Sequence, residues 1–525
     1  MGPRRRHKEN PMINVEFAAG IAAILIALLW PGSFFYRYVR DFFLRPEGPW
    51  NLALFRVFFF FWYQKFGLAT GLWMSQVPAE FRKAPPGYDA LMAWIPFSYD
   101  FYLTAQGILY VSCGFVIAGL WTRFFAAVAA AAGFYVLGLP NFFGKINHGS
   151  QHMIWFAVLF ACSRCADVLS VDSVLKAWRQ GSFREPLPSL AYSLPLRFMM
   201  LLVGLIYFFS GLWKVITAGD SWIFSDNLMW IFRNHWMLKE FLPSFRIDHY
   251  PLLCRAAALS VVVIEISFLL LIFHPSTRIL AAAGALLFHK MTVYFLRINF
   301  FSLQICLFPL VNWAGLLKKA GAGILKNRGP LRVPVSPRFF AVLQTADAAG
   351  VLARDAGCEM APLRVKSVRA AAAAGSFLVA AQLVCGISRF DSWPFGLYPT
   401  FAYTASPYHE AVQAQAVFNK TVQQIDFKVL MKGFHGTRWM VLQRRILNAS
   451  DETSRETLLR RLTHYIVLRE PKLAEADEIR YSKAVLANDP ERWMINPIGV
   501  KGLGILKPEL LFSSRIQAVS REGDS

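Results

Sequence analysis

Apolar residues gather in long runs separated by short polar or basic stretches. Taking about 17–25 residues as a bilayer crossing, the runs fall near 15–30, 52–74, 101–121, 124–143, 149–170, 196–214, 252–274, 278–296, 298–318 and 370–388. They predict an all-α polytopic membrane helical bundle of about 8–10 spans. Beyond residue 389 the pattern changes. "TVQQIDFKVLMKGFHGTRWMVLQRRI" predicts two strands around a turn at Gly433–Gly436. "SDETSRETLLRRLTHYIVLRE" predicts a helix capped by Ser450 or Asp451, with acids in its first turn.

The chain divides on this reading into an N-terminal membrane helix and linker (1–50), a main transmembrane domain (51–320), a basic loop (321–369), a last transmembrane helix (370–388) and a small extramembrane α+β domain (389–525). The start, "MGPRRRHKEN" followed by apolar residues to Trp30, has the charge order of a signal peptide. "LLWPGSFFYRY" is a poor small-residue cleavage site, so an uncleaved first helix is expected.

Composition agrees with a multi-pass membrane protein: 55% of residues are hydrophobic and mean hydropathy is +0.38. The net charge of +22 then reads as basic loops flanking spans, and nucleic acid is not an expected partner. Residues 316–369 carry Lys318, Lys319, Lys326, Arg328, Arg332, Arg338, Arg354, Arg364, Lys366 and Arg369 against Asp347, Asp355 and Glu359. That excess places the loop on the cytoplasmic side and the tail on the exoplasmic side, in a plasma membrane or bacterial inner membrane. Nine full spans from a cytoplasmic start would put this loop outside, so one run is not a full span or the first is absent from the mature chain. The seven scattered cysteines are not a disulfide framework.

Charged and polar groups inside apolar runs mark candidate chemistry. Lys214 ends "GLIYFFSGLWKV"; desolvation would turn its amine into a base, whereas snorkelling would keep it an ammonium. "GDSWIFSDNLMWIFRNHW", with Trp222, Arg233 and His235, is amphipathic and suited to roof the lysine at the membrane surface. Asn147 and His148 open another run. His148 and His152, four residues apart, would share a helix face and bond a polar head group or a neighbouring helix. No acid-plus-histidine set completes a metal site beside them, so no metal is expected. His289, Asn299 and Gln304 are further polar groups in apolar surroundings. Arg56 and Glu265 stand alone inside runs, each needing a partner or a wet cavity, and an Arg56–Glu265 pair is one solution. Cys162-Ser-Arg-Cys165 has redox spacing but no second shuttle pair.

The order "LFR", "NHG", "VLSVDS", "SGLWKV…GDSW…FRNHW" and "FHKM…INFFSLQ" over roughly 50–315 resembles the vitamin K-dependent gamma-carboxylase-like membrane domain, also called the HTTM domain. The resemblance implies a lyase-like enzyme using a lipid quinone, reduced vitamin K or a relative, with oxygen and carbon dioxide. It casts Lys214 as base on the quinone, with Asn147 and His148 beside the ring and His289 as a further histidine. A glutamate-containing protein would be the substrate, and membrane lipid the other partner. The tail after the last span is shorter than the carboxylase's, and no propeptide-binding surface is evident in it. Two other functions remain open on the residues: a non-enzymatic membrane protein serving transport, immunity or assembly, and a quinone-linked thiol oxidoreductase using Cys162 and Cys165.

Overall fold

The computed structural model describes residues 30–66, 77–181, 185–239, 241–327, 366–396, 401–425, 438–491 and 509–516, with Gly20, Met74, Tyr398 and Val429. It is mostly helical. The helices are α1 (Phe34–Leu44), α2 (Trp50–Phe66), α3 (Tyr99–Ala118), α4 (Thr122–Gly138), α5 (Gln151–Ala161), α6 (Val171–Gln180), α7 (Leu190–Ala218), α8 (Asn227–Lys239), α9 (Pro251–Leu271), α10 (Pro275–Leu296), α11 (Phe301–Ile305), α12 (Trp313–Asn327) and α13 (Lys366–Ser388).

Six of these are long and apolar enough to cross a bilayer: α3, α4 with its short extension to Phe142, α7, α9, α10 and α13. The outer faces of α9, α10 and α13 present bare apolar side chains such as Leu252, Ile279, Leu280 and Phe377, as expected of helices that meet lipid. Among the described residues the count is six, or seven if the bent pair in the run 298–318 is one span. The run 149–170 holds only the eleven-residue α5, nearly all of it buried, which is too short to span. The run 298–318 breaks into two pieces bent by 69°. The run 15–30 lies almost wholly outside the described residues.

Helix α7 is the hub. Its neighbour α13 runs parallel to it, and Gly375 and Gly386 let the rings of Phe198 and Phe209 lie directly on the α13 backbone, where any Cβ would overlap them. Against α9, a Cβ at Gly204 would come 2.9 Å from Leu269 Cδ1 and one at Gly211 2.8 Å from Glu265 Cβ. Small residues at these contacts allow the close backbone approach that packs membrane helices. Phe55, Phe59, Phe156, Phe160 and Phe308 fill the space between α2, α5 and the turn after α11.

Between α13 and the tail domain, the described residues 389–396, Tyr398 and 401–405 have no helix or strand. Their backbone carbonyls are met by side chains of the helices. Gln151 Nε2 donates to Ser392 O at 2.7 Å, Trp155 Nε1 to Pro394 O at 2.9 Å and Gln382 Nε2 to Gly396 O at 2.9 Å. Ser210 Oγ donates to Tyr398 O at 2.8 Å and Trp222 Nε1 to Phe401 O at 3.0 Å. Irregular backbone inside an apolar bundle needs such partners.

The tail holds a four-stranded antiparallel sheet of order β2-β1-β3-β4, from β1 (Tyr408–Phe418), β2 (Thr421–Gln424), β3 (Glu478–Ala487) and β4 (Glu509–Arg515). The β1–β2 turn is Asn419-Lys420, both at positive φ, the geometry that closes a two-residue hairpin. The expected turn at Gly433–Gly436 lies outside the described residues. The segment that follows, expected as a strand, is instead α14 (Arg438–Leu447), which buries Trp439, Leu442 and Ile446 at helical spacing. The expected helix is α15 (Glu452–Arg469), with Asp451 as its cap: Ser454 N donates to Asp451 Oδ1 at 2.6 Å.

Candidate functional site

The tight α7–α9 contact sets Lys214 against Glu265. Lys214 Nζ lies 2.6 Å from Glu265 Oε2 and 2.7 Å from Oε1, with Ser210 O at 3.4 Å. The side chains are 2% and 3% exposed, so the amine does not snorkel to water. The Trp222 ring centroid is 5.4 Å from Nζ, and Trp222 itself is buried. Of the Gly219–Trp236 stretch, Trp222 is the residue set against the amine, and its indole N–H donates to Phe401 O.

This pairing corrects the Arg56–Glu265 alternative. Arg56 is buried near the other end of α7's neighbourhood, where Nη1 donates to Cys165 O at 2.9 Å and Nη2 to Leu169 O. Carbonyls beyond α5 take both terminal nitrogens of the guanidinium, Nε is buried with no hydrogen-bond partner among the described residues, and Glu265 is paired with Lys214 instead.

One turn before Ser210's end of α7, Tyr207 OH lies 2.5 Å from His289 Nε2 on α10, and the Tyr207 ring stacks on Phe268 of α9. His289 Nδ1 is buried without a hydrogen-bond partner among the described residues. His148 sits on a single 3-10 turn, His148–Ser150, that precedes α5, and His152 sits in α5 itself. Both approach Tyr398 of the 389–405 segment: the His148 ring is 5.2 Å from the Tyr398 ring, and His152 Nδ1 is 3.0 Å from Tyr398 OH. His148 Nδ1 stands 3.5 Å from Asp391 Oδ1, too far for a strong hydrogen bond. His152 Nε2 is buried without a partner among the described residues.

Asn147 spends its Oδ1 on Gly149 N, capping the turn, while its own N–H donates to Asn141 Oδ1 at 2.5 Å. His235 of α8 packs edge-on against Phe401 at 5.1 Å, with Nδ1 buried and unpartnered among the described residues. Asn299 and Gln304 stand apart from this group and bond each other at 3.3 Å in an exposed position.

The structure thus brings several sequence candidates around Asp391, Tyr398 and Phe401. Lys214, Trp222 and His235 come from one side, and His148 and His152 from another. Ser210 links the two, since its carbonyl faces Lys214 and its hydroxyl bonds Tyr398 O. Sequence reasoning missed Tyr207, Tyr398 and Ser210. Tyr207 sits in the quoted apolar run ahead of Lys214, but a tyrosine in such a run reads as packing until His289 is seen across from it.

The two clustered cysteines do not join the site. Cys165 is buried and its Sγ donates to Phe160 O at 3.8 Å; both thiols are free. Burial pushes both above the ordinary thiol range, which leaves little thiolate at neutral pH. They lie near Tyr192, at the opposite end of α7 from Lys214, through Asp167: Tyr192 OH donates to Asp167 Oδ2 at 2.6 Å. Twenty-two helical positions at a rise of about 1.5 Å place these ends roughly 33 Å apart.

The tail domain docks at the Lys214 end. Arg246 Nη1 donates to Glu491 Oε1 at 2.9 Å. The same arginine and Arg233 converge on Asp248, whose side chain is fully buried, at 2.8 and 2.9 Å. Burial pushes the Asp248 carboxyl up, but the two guanidiniums outweigh it and hold it below the usual carboxylate range.

No family model, curated protein or solved structure matches the chain.

Proposed function

We propose that the chain is an integral membrane enzyme of the vitamin K-dependent gamma-carboxylase-like type, working on a reduced lipid quinone with Lys214 as base. The observation that carries this reading is the dry Lys214–Glu265 pair in a bundle that also buries ring nitrogens of His152, His235 and His289 with no hydrogen-bond partner among the described residues. Buried polar atoms left unpaired are costly, and a ring with two oxygen functions would give them partners.

The residues that would hold such a ring are His148, His152 and His289, with Asn147 and His235 at the margin and Trp222 as an aromatic wall. When bound, the reduced quinone supplies, with oxygen, the strong base that takes a γ-proton from a glutamate before carbon dioxide adds. The chain's own part is proton handling. Transfer of the Lys214 proton across the 2.6 Å contact to Glu265 removes two buried charges at once. The resulting neutral amine accepts a proton at Nζ from a ring hydroxyl. Glu265 is then a positioning and proton-holding residue, and Trp222 excludes water from Nζ.

In this reading the tail domain and Lys214 share the exoplasmic face, and the basic 316–369 segment lies on the cytoplasmic face. The test uses the full chain in lipid nanodiscs with a reduced naphthoquinone, oxygen, labelled carbon dioxide and glutamate-rich peptides. Wild type should oxidise the quinone and incorporate label, and Lys214→Met should do neither. A wild type silent in both assays sinks the proposal.

A second reading rests on the same pair. Two carboxylate oxygens and a carbonyl already satisfy the ammonium, as in a static clamp between α7 and α9 in a non-enzymatic membrane protein. Full biological activity in a Lys214→Met/His148→Ala double variant would favour it.

A further inference from the structure

At the end of the bundle away from Lys214 lies a cavity of about 650 Å³, within the range of small-molecule sites. It is lined by the start of α4, the turn after α5, one side of α6, Glu185 and the start of α13. Its polar groups divide into committed and uncommitted ones. Asp172 takes Trp121 N, Thr122 N and Thr122 Oγ1 at 3.1–3.3 Å, and Asp167 takes Arg164 and Tyr192. Glu185 Oε1 accepts from Trp50 Nε1 at 2.7 Å. Lys176 and Lys366 line the cavity with no ion pair among the described residues. Ser367 Oγ, in a residue 6% exposed, is buried with no hydrogen-bond partner among the described residues, and so is Glu185 Oε2.

Helix α6 says at what depth this cavity sits. Val171, Val174, Leu175 and Trp178 form an exposed apolar row. Ser173, Lys176, Ala177 and Gln180, at the same spacing, form the row that lines the cavity. A short helix bare and apolar on one side and polar on the other lies in the membrane interface. Exposed Trp121, Phe124 and Leu187 continue the apolar rim. The cavity therefore opens at head-group level.

We infer that this cavity binds the phosphate head group of an anionic phospholipid, with Lys176 and Lys366 against the phosphate, Ser367 Oγ donating to it, and Glu185 Oε2 accepting from a head-group hydroxyl. The acyl chains leave along the apolar row of α6. Of the phosphate sources, the lipid is favoured by that row, which a free ion would not need. The inference does not depend on the reading of Lys214.

The test is native mass spectrometry of the full chain in mild detergent with dioleoyl phosphatidylglycerol, with dioleoyl phosphatidylcholine, or with inorganic phosphate as competitor. Phosphatidylglycerol should be retained over phosphatidylcholine. Lys176→Ala/Lys366→Ala should weaken retention about 30-fold, from the attraction of two lysines to an anionic lipid. Ser367→Ala should weaken it further. Arg461→Ala/Lys472→Ala, the same charge loss on the tail domain, should leave it unchanged. Both lysines are exposed, so the variants should unfold at the wild-type temperature. Equal retention of the two lipids, or wild-type retention in Lys176→Ala/Lys366→Ala, would overturn the inference. Displacement of the lipid by millimolar phosphate, with phosphate alone stabilising delipidated protein, would overturn the lipid assignment in favour of a free anion.

Discussion

Removing either member of the Lys214–Glu265 pair should cost far more than removing both. Two unit charges 2.6 Å apart attract by about 6 kcal/mol at an effective dielectric constant of about 20. Burying them costs several kcal/mol per ion, so the intact pair is close to break-even. Glu265→Leu leaves an ammonium 2% exposed with the Ser210 carbonyl as its one hydrogen-bond partner among the described residues, and Lys214→Met leaves a buried carboxylate without its ammonium. Each single variant should therefore lose about 3–5 kcal/mol of stability. Lys214→Met/Glu265→Leu fills the same space with apolar atoms and should return to within about 1 kcal/mol of wild type. Thermal unfolding of the four proteins in one detergent gives the cycle. Additive losses would refute the reasoning, because they would mean that the two groups do not share one buried interaction. The double variant also separates the two functional readings. A stable, inactive protein is what a proton-handling pair requires, and a stable, active one is what a clamp requires.

Three further outcomes follow from the geometry. Gly386→Ala should destabilise by about 1–3 kcal/mol in thermal unfolding, because its Cβ would overlap the Phe209 ring, whereas Gly107→Ala, with open space around it, should not. Asp248→Asn should abolish the acid-dependent part of stability near the Arg233–Arg246 site. The wild-type carboxyl titrates lower when folded, so its contribution is present above about pH 4 and is lost as pH falls through the depressed value. Unfolding followed from pH 7 to pH 2 should show a shallower acid slope in the variant. Tyr398→Phe removes the 3.0 Å partner of His152 and should weaken quinone binding by about 1–3 kcal/mol in a direct titration while leaving the chain folded.

The main lines of the fold were legible because membrane helices advertise themselves by length. The misreadings have physical causes. The eleven-residue α5, with nine residues buried, is as apolar as a span but too short to be one. In "RWMVLQRRIL" the burial of Trp439, Leu442 and Ile446 is helical, yet a short apolar run does not declare its period. Lys214 and Glu265 were each visible as isolated charges, but 51 residues separate them. Their pairing depends on the close approach that Gly211 allows, which no local pattern encodes. The contribution of residues 389–405 was hidden for a related reason. That segment has no periodicity, and its role comes from helix side chains up to 241 residues away reaching its carbonyls.

Proton transfer from a lipid-borne hydroxyl to Lys214 is tested most directly by the absorbance of a reduced naphthoquinone bound under strict anaerobiosis at neutral pH. Wild type should shift the bound ring to the spectrum of its deprotonated form, while Lys214→Met should bind the ring and leave it protonated. Identical spectra in the two proteins, both with the ring bound, would contradict it.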